Sequence, residues 1–428
     1  MKSAQLPIVT RAGWFWLAVG LIATTEAVRA ARPADEARTL FNQVQNASGP
    51  TWERHTIDRS SQGADGVKLG DLNGDGRPDI VTGWEEGGEV RVYLNPGPAK
   101  AREAWPRVTV GSAKDVEEAI FADLDGDGRL EVVSATEGKT RTVYWHRFTG
   151  SPDKLQDASA WSTRAFPATA NLQMWMQAAA LDLDGQHGSD LLLGAKGNHA
   201  MIGWLQAPAE AGNLAAWQYH KIRDAGWIMS LVPQDMDSDG DLDVVFSDRK
   251  GPHTGVFWLE NPGASANRNQ RAWREHAIGA AGREVMFADL GDINGDGLID
   301  VAVAVKPANI LIYLQGPGRT WRERTLSLDT TNLGDAKAVK IADVNRDGRA
   351  DLLFTCENAT GARTGVVWLE QLRDGPWLQR ALGGPEGVKF DLMQVLDLDG
   401  DGDLDVVTCE ERDQLGVVWY ENPFVRRP

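Results

Sequence analysis

Cysteine is almost absent: Cys356 and Cys409 are the two thiols in 428 residues. Two cysteines cannot build a disulfide framework, so the fold must stand on its core and on any ions it binds. Both sit near the ends of similar apolar runs, DLLFTC and DLDVVTC, where buried free thiols are expected. Positive charge is also short. A formal net charge of −17 argues against nucleic acid as a partner, because polyanion binding normally needs a basic face. Beyond the N-terminal region no apolar run is long enough to cross a bilayer, so no transmembrane segment is expected in the mature chain. A serine elbow, a phosphate loop, HExxH, a CxxC zinc pair and a dinucleotide fingerprint are all missing. These absences disfavour the commonest hydrolase and oxidoreductase designs. They leave room for an active site assembled from several strands.

What is present begins with residues 1–30, which have the pattern of a secretory signal. Lys2 and Arg11 precede or border the apolar run WFWLAVGLIA, and Val28-Arg29-Ala30 supplies small residues for cleavage. The expected location is therefore secreted, periplasmic or on the cell surface. Residues 31–50 carry no strong period and read as a leader or linker. The remainder, with 42% hydrophobic and 25% charged residues over the whole chain, has the composition of a globular domain.

That remainder, residues 51–428, is repetitive. A nine-residue acidic frame begins at Asp71, Asp123, Asp182, Asp235, Asp292, Asp343 and Asp397, and reads DLNGDGRPD, DLDGDGRLE, DLDGQHGSD, DMDSDGDLD, DINGDGLID, DVNRDGRAD and DLDGDGDLD. Two other signals keep the same beat. Upstream of each frame lies a strand pattern led by Trp52, Trp105, Trp161, Trp217, Trp273, Trp321 or Trp377. Downstream lies an aromatic strand around Tyr93, Trp145, Trp204, Trp258, Tyr313, Trp368 or Trp419. Each unit thus has four short β segments, which describes a β-propeller blade; seven units describe seven blades. The chain opens on a fourth strand and ends on a third, so pairing the two would close the ring and remove two sheet edges. The expected fold is all-β: a seven-bladed propeller of four-stranded blades, with the N-terminal strand joining the last blade.

Oxygen ligands at positions 1, 3 and 5, a Gly at 6 and a carboxylate at 9 can wrap a hard cation, for which calcium is best suited. An EF-hand would need Glu at position 12 between helices; here position 12 is Thr82, Ser134, Leu193, Phe246, Val303, Phe354 or Thr408, followed by strand. On these frames the chain resembles the FG-GAP or VCBS repeat family, which includes the propeller of integrin α chains. The resemblance covers about residues 51–423 and implies calcium between two strands of a blade. In the first loop it implies ligands Asp71, Asn73, Asp75 and Asp79, with Arg77 giving its carbonyl. It implies Asp123, Asp125, Asp127 and Glu131 in the second loop, Asp235, Asp237, Asp239 and Asp243 in the fourth, and Asp292, Asn294, Asp296 and Asp300 in the fifth. The sixth would use Asp343, Asn345, Asp347 and Asp351, and the seventh Asp397, Asp399, Asp401 and Asp405. The third departs, with Gln186 for the acid and His187 for the Gly, so the expectation is about six structural calcium sites, with metal in the loop at Asp182 doubtful. The seven frames hold 26 of the 61 acidic residues, a concentration that repels itself without cations.

Chemistry is then expected on the opposite face, around the central channel. Six positions beyond the last loop residue, the column reads Glu85, Glu137, Lys196, Arg249, Lys306, Glu357 and Glu411: all charged, with the three basic residues consecutive around the ring. Three tryptophans outside the signal and the repeating columns, Trp84, Trp175 and Trp227, map to the same face, and the neighbouring loops KGNH and DRKGPH add His199, Lys250 and His253. Indoles, cations and imidazoles together suit a polyhydroxylated anionic ligand such as an acidic glycan. In the enzymatic version, Arg249 or Lys196 neutralises a uronate carboxylate while His199 or His253 removes the adjacent proton, a carbon-oxygen lyase or dehydratase reaction. The alternative is a protein-interaction or adhesion platform without catalysis. His55, His220 and His276 recur in the Trp-led strands, where the pattern points to structure.

Overall fold

The computed structural model describes residues 42–373 and 375–424. The expected signal segment, the leader up to residue 41 and the last four residues lie outside the described residues.

Seven sheets, each built on four antiparallel strands, form the seven blades. Their inner strands are Ala64–Gly70, Val116–Ala122, Met174–Leu181, Ile228–Gln234, Val285–Gly291, Asp335–Ala342 and Phe390–Leu396. Their second strands are Asp79–Trp84, Glu131–Thr136, Asp190–Lys196, Asp243–Asp248, Asp300–Val305, Asp351–Glu357 and Asp405–Glu410. Each acidic frame is therefore the turn between an inner and a second strand, and its ninth residue is the first of the second strand. Second strands are covered on both faces, which explains their continuous apolar runs. Outer strands such as Arg274–Gly279 are the least buried and carry charge. The apolar clusters lie mainly between neighbouring blades; one joins Val81 and Val92 of blade 1 to Val116 and Val132 of blade 2.

Blade 7 takes its outer strand from the start of the chain: Glu53–Asp58 pairs antiparallel with Gly416–Glu421, with His55 opposite Trp419. Residues 44–46, inside the segment that reads as a leader or linker, are paired. Val44–Asn46 runs parallel to Trp377–Gln379 as a fifth strand on blade 6, held by Trp377 N donating to Gln43 O (2.8 Å) and Ala47 N to Gln379 O (3.0 Å).

The Trp-led strands follow a cross-strand rule. His276 stacks on Trp258 with centroids 4.1 Å apart and meets Glu260 Oε2 at 2.6 Å. His55 on Trp419, with Glu421, repeats the arrangement, as does His220 on Trp204 with Gln206. In blade 6 the cation is Arg380, 5.4 Å from the Trp368 ring and 2.6 Å from Glu370 Oε2. These histidines brace outer strands.

Candidate functional site

Backbone amides shape the acidic loops. Asp71 Oδ1 and Oδ2 accept from the N–H groups of Asp75 (3.0 Å) and Gly76 (2.9 Å), and Asp75 Oδ1 accepts from Arg77 N (3.0 Å). Asp292 and Asp343 repeat this in the fifth and sixth loops. Gly76 at position 6 takes φ 83°, a left-handed turn that disfavours other residues. The side chains at 1, 3 and 5 are thereby turned toward one point. In the second loop, carboxylate oxygens of Asp123, Asp125 and Asp127 lie within 4.8 Å of one another, and Asp125 Oδ1 is buried without a hydrogen-bond partner. An all-oxygen donor set with an orphaned carboxylate oxygen fits a hard cation.

The ninth residue clamps two strand ends. Asp79 is fully buried; its Oδ2 accepts from Leu72 N (2.9 Å) and its Oδ1 from Asn95 N (2.8 Å), tying the loop to the end of the third strand. Asp190, Asp243, Asp300 and Asp405 make the same pair of bonds. Burial pushes these carboxyls up, Asp79 to about 6 and Asp190 to about 7. The third loop keeps carboxylates of Asp182, Asp184 and Asp190 within 4.8 Å despite its altered sequence. There Gln206 bonds Asp184, Arg268 bonds its carbonyl, and Asn267 Nδ2 donates to Leu183 O (2.7 Å), while His187 takes φ 64° where the other frames have glycine.

At the other end of the channel the expected charged column meets the starts of the inner strands. Glu85 N donates to Gly63 O (2.7 Å), Arg249 N to Trp227 O (2.8 Å), Lys306 N to Glu284 O (3.1 Å) and Glu411 N to Lys389 O (3.0 Å). The column's cations are paired: Lys196 with Glu137, Lys306 with Glu357, and Arg249 with Glu284 at 2.6 Å. Burial and then Arg249 pull the Lys306 ammonium down to about 8. Glu85, Glu117 and Glu137 form a carboxylate group within 4.8 Å; burial, then Glu117, pushes Glu85 up to about 7.

Sequence reasoning missed a second column, six residues before each frame: Asp65, Glu117, Met176, Met229, Met286, Lys337 and Asp391. Every inner strand has a register shift near this point, which re-aims the side chain. Asp65, Asp391 and Glu411 lie within 4.8 Å of one another and are at most 5% exposed. Lys337 pairs with Asp391 and, at 3.1 Å, with Glu411, which also pairs with Lys389. Burial and then Asp391 drive the Asp65 carboxyl well above the usual range. Burial acts on Asp391 in the same direction, but Lys337, a hydrogen bond with Asp65 and Lys389 outweigh it and hold Asp391 below that range. The signal that could have found this cluster is charge interrupting an apolar strand at a fixed distance from the frame.

Of the three unassigned tryptophans, two are core. Trp84 is 1% exposed and donates to Tyr93 Oη (2.9 Å); Trp175 is 0% exposed and donates to Thr169 O (3.3 Å). Their indole N–H groups found buried acceptors, so neither ring is presented to a ligand. Trp227 is half-buried, and three cations surround its ring: Lys196 and Arg249 at 4.6 Å from the centroid and Lys250 at 4.5 Å. Lys250 is exposed and has no ion pair among the described residues. His199 and His253 are exposed in turns, and neither ring makes a hydrogen bond with a described residue. No hydrogen bond joins them to Lys196 or Arg249.

A family model described as FG-GAP-like repeat matches residues 71–134 and 292–354, each match running from the first residue of a frame into the second strand of the next blade. No curated protein matches the sequence. Among solved structures, the crystal structure of BBS1N in complex with ARL6DN, soaked with mercury, is similar in fold: TM-score 0.51 at 10% identity, covering 88% of this chain and 98% of that one. As many as 415 solved chains match, so the likeness establishes architecture and selects no activity. Repeated frames, seven sheets and the two family matches agree: the chain is a seven-bladed FG-GAP repeat β-propeller.

Proposed function

We propose that the protein is an exported, calcium-stabilised propeller that binds an acidic glycan on the face remote from the acidic loops, with Trp227 as the platform. The observation that carries this reading is the Trp227 ring with Lys196, Arg249 and Lys250 all within 4.6 Å of its centroid. An indole face accommodates the apolar face of a sugar ring, and clustered cations attract a carboxylate. Two of the three cations are already offset, Lys196 by Glu137 and Glu117 and Arg249 by Glu284, so the attraction rests on Lys250. On a chain of net charge −17, an exposed lysine without an ion pair among the described residues, beside an indole, gives an anion one place to dock.

Calcium, when bound, would supply a cross-link between the two strands that each frame joins. Asp71, Asn73, Asp75 and Asp79 would hold it in the first loop, and the matching residues would do so in the other five regular loops. The crowding of Asp123, Asp125 and Asp127 and the orphaned Asp125 oxygen support this assignment. The enzymatic form of the reading is β-elimination: a base takes the proton next to the uronate carboxylate, a carbon-carbon double bond forms, the glycosidic C–O bond breaks, and the leaving oxygen takes a proton from water to end as a hydroxyl. His199 and His253 have unencumbered rings that could act as that base.

An array of uronate-containing polymers, probed with the calcium-loaded protein and followed by ultraviolet detection of unsaturated product, tests both parts. Binding with product supports the lyase form, and binding alone supports a lectin-like role. If no polymer binds while a protein partner is held by wild type and lost by the Lys250→Ala variant, the face is a protein-interaction platform and the glycan reading fails.

A further inference from the structure

The central channel is blind. At the end remote from the acidic loops, Asp65, Met176, Met229, Met286, Lys337 and Asp391 are all 0–4% exposed and fill it. The loop-ward halves of all seven inner strands enclose a cavity of about 380 Å³ that opens on the acidic-loop face. That volume is at the lower end of the range for small-molecule sites.

Inner strands present a free backbone edge to this cavity, and side chains of the preceding blade satisfy it. Glu118 accepts from Ala178 N (2.8 Å), Ser230 from Ala288 N (2.8 Å) and Asp289 from Ile341 N (2.9 Å), while Gln394 donates to Val67 O (3.0 Å). Gln177 occupies the same place relative to its frame as Glu118 and Ser230. It is 7% or less exposed, at 5%, lines the cavity, and makes no hydrogen bond with any described residue. Its amide, with neither donor nor acceptor used by any described residue, is reached only from the cavity and is free to meet whatever occupies it. The charges nearby are already neutralised, Lys68 by Glu118 at 2.6 Å and Lys340 by Asp289 at 3.0 Å. Phe121 and Phe287 add apolar surface.

We propose that this cavity binds a neutral, hydroxyl-rich molecule of monosaccharide size, with the Gln177 amide donating to one hydroxyl oxygen and accepting from another. The class follows from the wall: an amide that can both give and take a hydrogen bond, no unpaired charge to reward an anion, and aromatic surface for the C–H face of a ring. This site lies at the opposite end of the channel from Trp227 and stands independently of the glycan reading made there.

Saturation-transfer NMR on the mature chain with D-glucose, D-galactose, N-acetyl-D-glucosamine and D-glucuronate tests it. At least one neutral sugar should receive saturation, glucuronate should not, and excess polygalacturonate should leave the neutral sugar in place. Gln177→Met, and Gln177→Glu as a second variant that keeps the shape but loses the donor, should each weaken binding by roughly threefold or more, the worth of one lost hydrogen bond. The proposal is overturned if no neutral sugar binds, if glucuronate binds better, if polygalacturonate displaces the sugar, or if a folded Gln177 variant binds as wild type does.

Discussion

Lys337 Nζ lies 3.1 Å from Glu411 Oε1 at the closed end of the channel, both side chains more than nine-tenths buried, with Asp391 and Asp65 alongside. A lone lysine among three carboxylates, helped by Lys389, holds together charge that burial would otherwise expel. Lys337→Met should therefore cost about 3–5 kcal/mol, the usual penalty for stranding a buried charge. Urea unfolding of the variant measures it; a loss under about 1 kcal/mol would mean that the cluster relaxes by taking up protons or water.

Glu85 gives a pH dependence with a definite sign. Its folded-state carboxyl is raised to about 7 from an ordinary 4.5, chiefly by burial and by Glu117. The folded state then binds more protons than the unfolded one between those values, so this contribution is complete below pH 4.5 and is lost as pH rises through about 7. The difference in melting temperature between Glu85→Gln and wild type should widen in favour of the variant from pH 5 to pH 8. A gap independent of pH would place Glu85 in contact with solvent.

Positions 5 and 9 of the acidic loops should separate by their response to chelator. Asp75 shapes its loop and is exposed there, whereas Asp79 is buried and ties two strand ends together through Leu72 N and Asn95 N. Calcium should raise the melting temperature of wild type, each site adding about 2.7 kcal/mol at a hundredfold excess over its Kd. Asp75→Asn should lose part of that gain and match wild type in EDTA. Asp79→Ala should lose about 3 kcal/mol in EDTA, from two charge-assisted hydrogen bonds, and more in calcium, where a ligand is lost as well. Equal melting of wild type with calcium and with EDTA would remove the structural role of the metal.

Blade number, strand order and the position of each loop were legible because they recur, and recurrence survives any single substitution. The role of the frame's ninth residue as a strand clamp was not legible, since its partners, such as Asn95 and Leu72, are main-chain amides common to every residue type. Trp84 and Trp175 misled for a related reason. Standing outside the repeating columns suggested exposure, yet each indole N–H had a buried acceptor that sequence does not reveal. Asp65, Lys337 and Asp391 went unread because charge inside an apolar strand looks accidental until seven inner strands are aligned on their frames. Val44–Asn46 has too few residues for a period, and its pairing depends on an edge more than 300 positions away.

Trp227 carries the functional claim, and one titration addresses it. Oligogalacturonate is added to calcium-loaded wild type and to Trp227→Ala at low ionic strength, with heat as the readout. Wild type should bind, with affinity falling as salt is raised. The variant should bind at least roughly tenfold more weakly, having lost the ring that gathers Lys196, Arg249 and Lys250. Absence of heat with wild type, or equal affinity of a folded Trp227→Ala, would contradict acidic-glycan binding on this face.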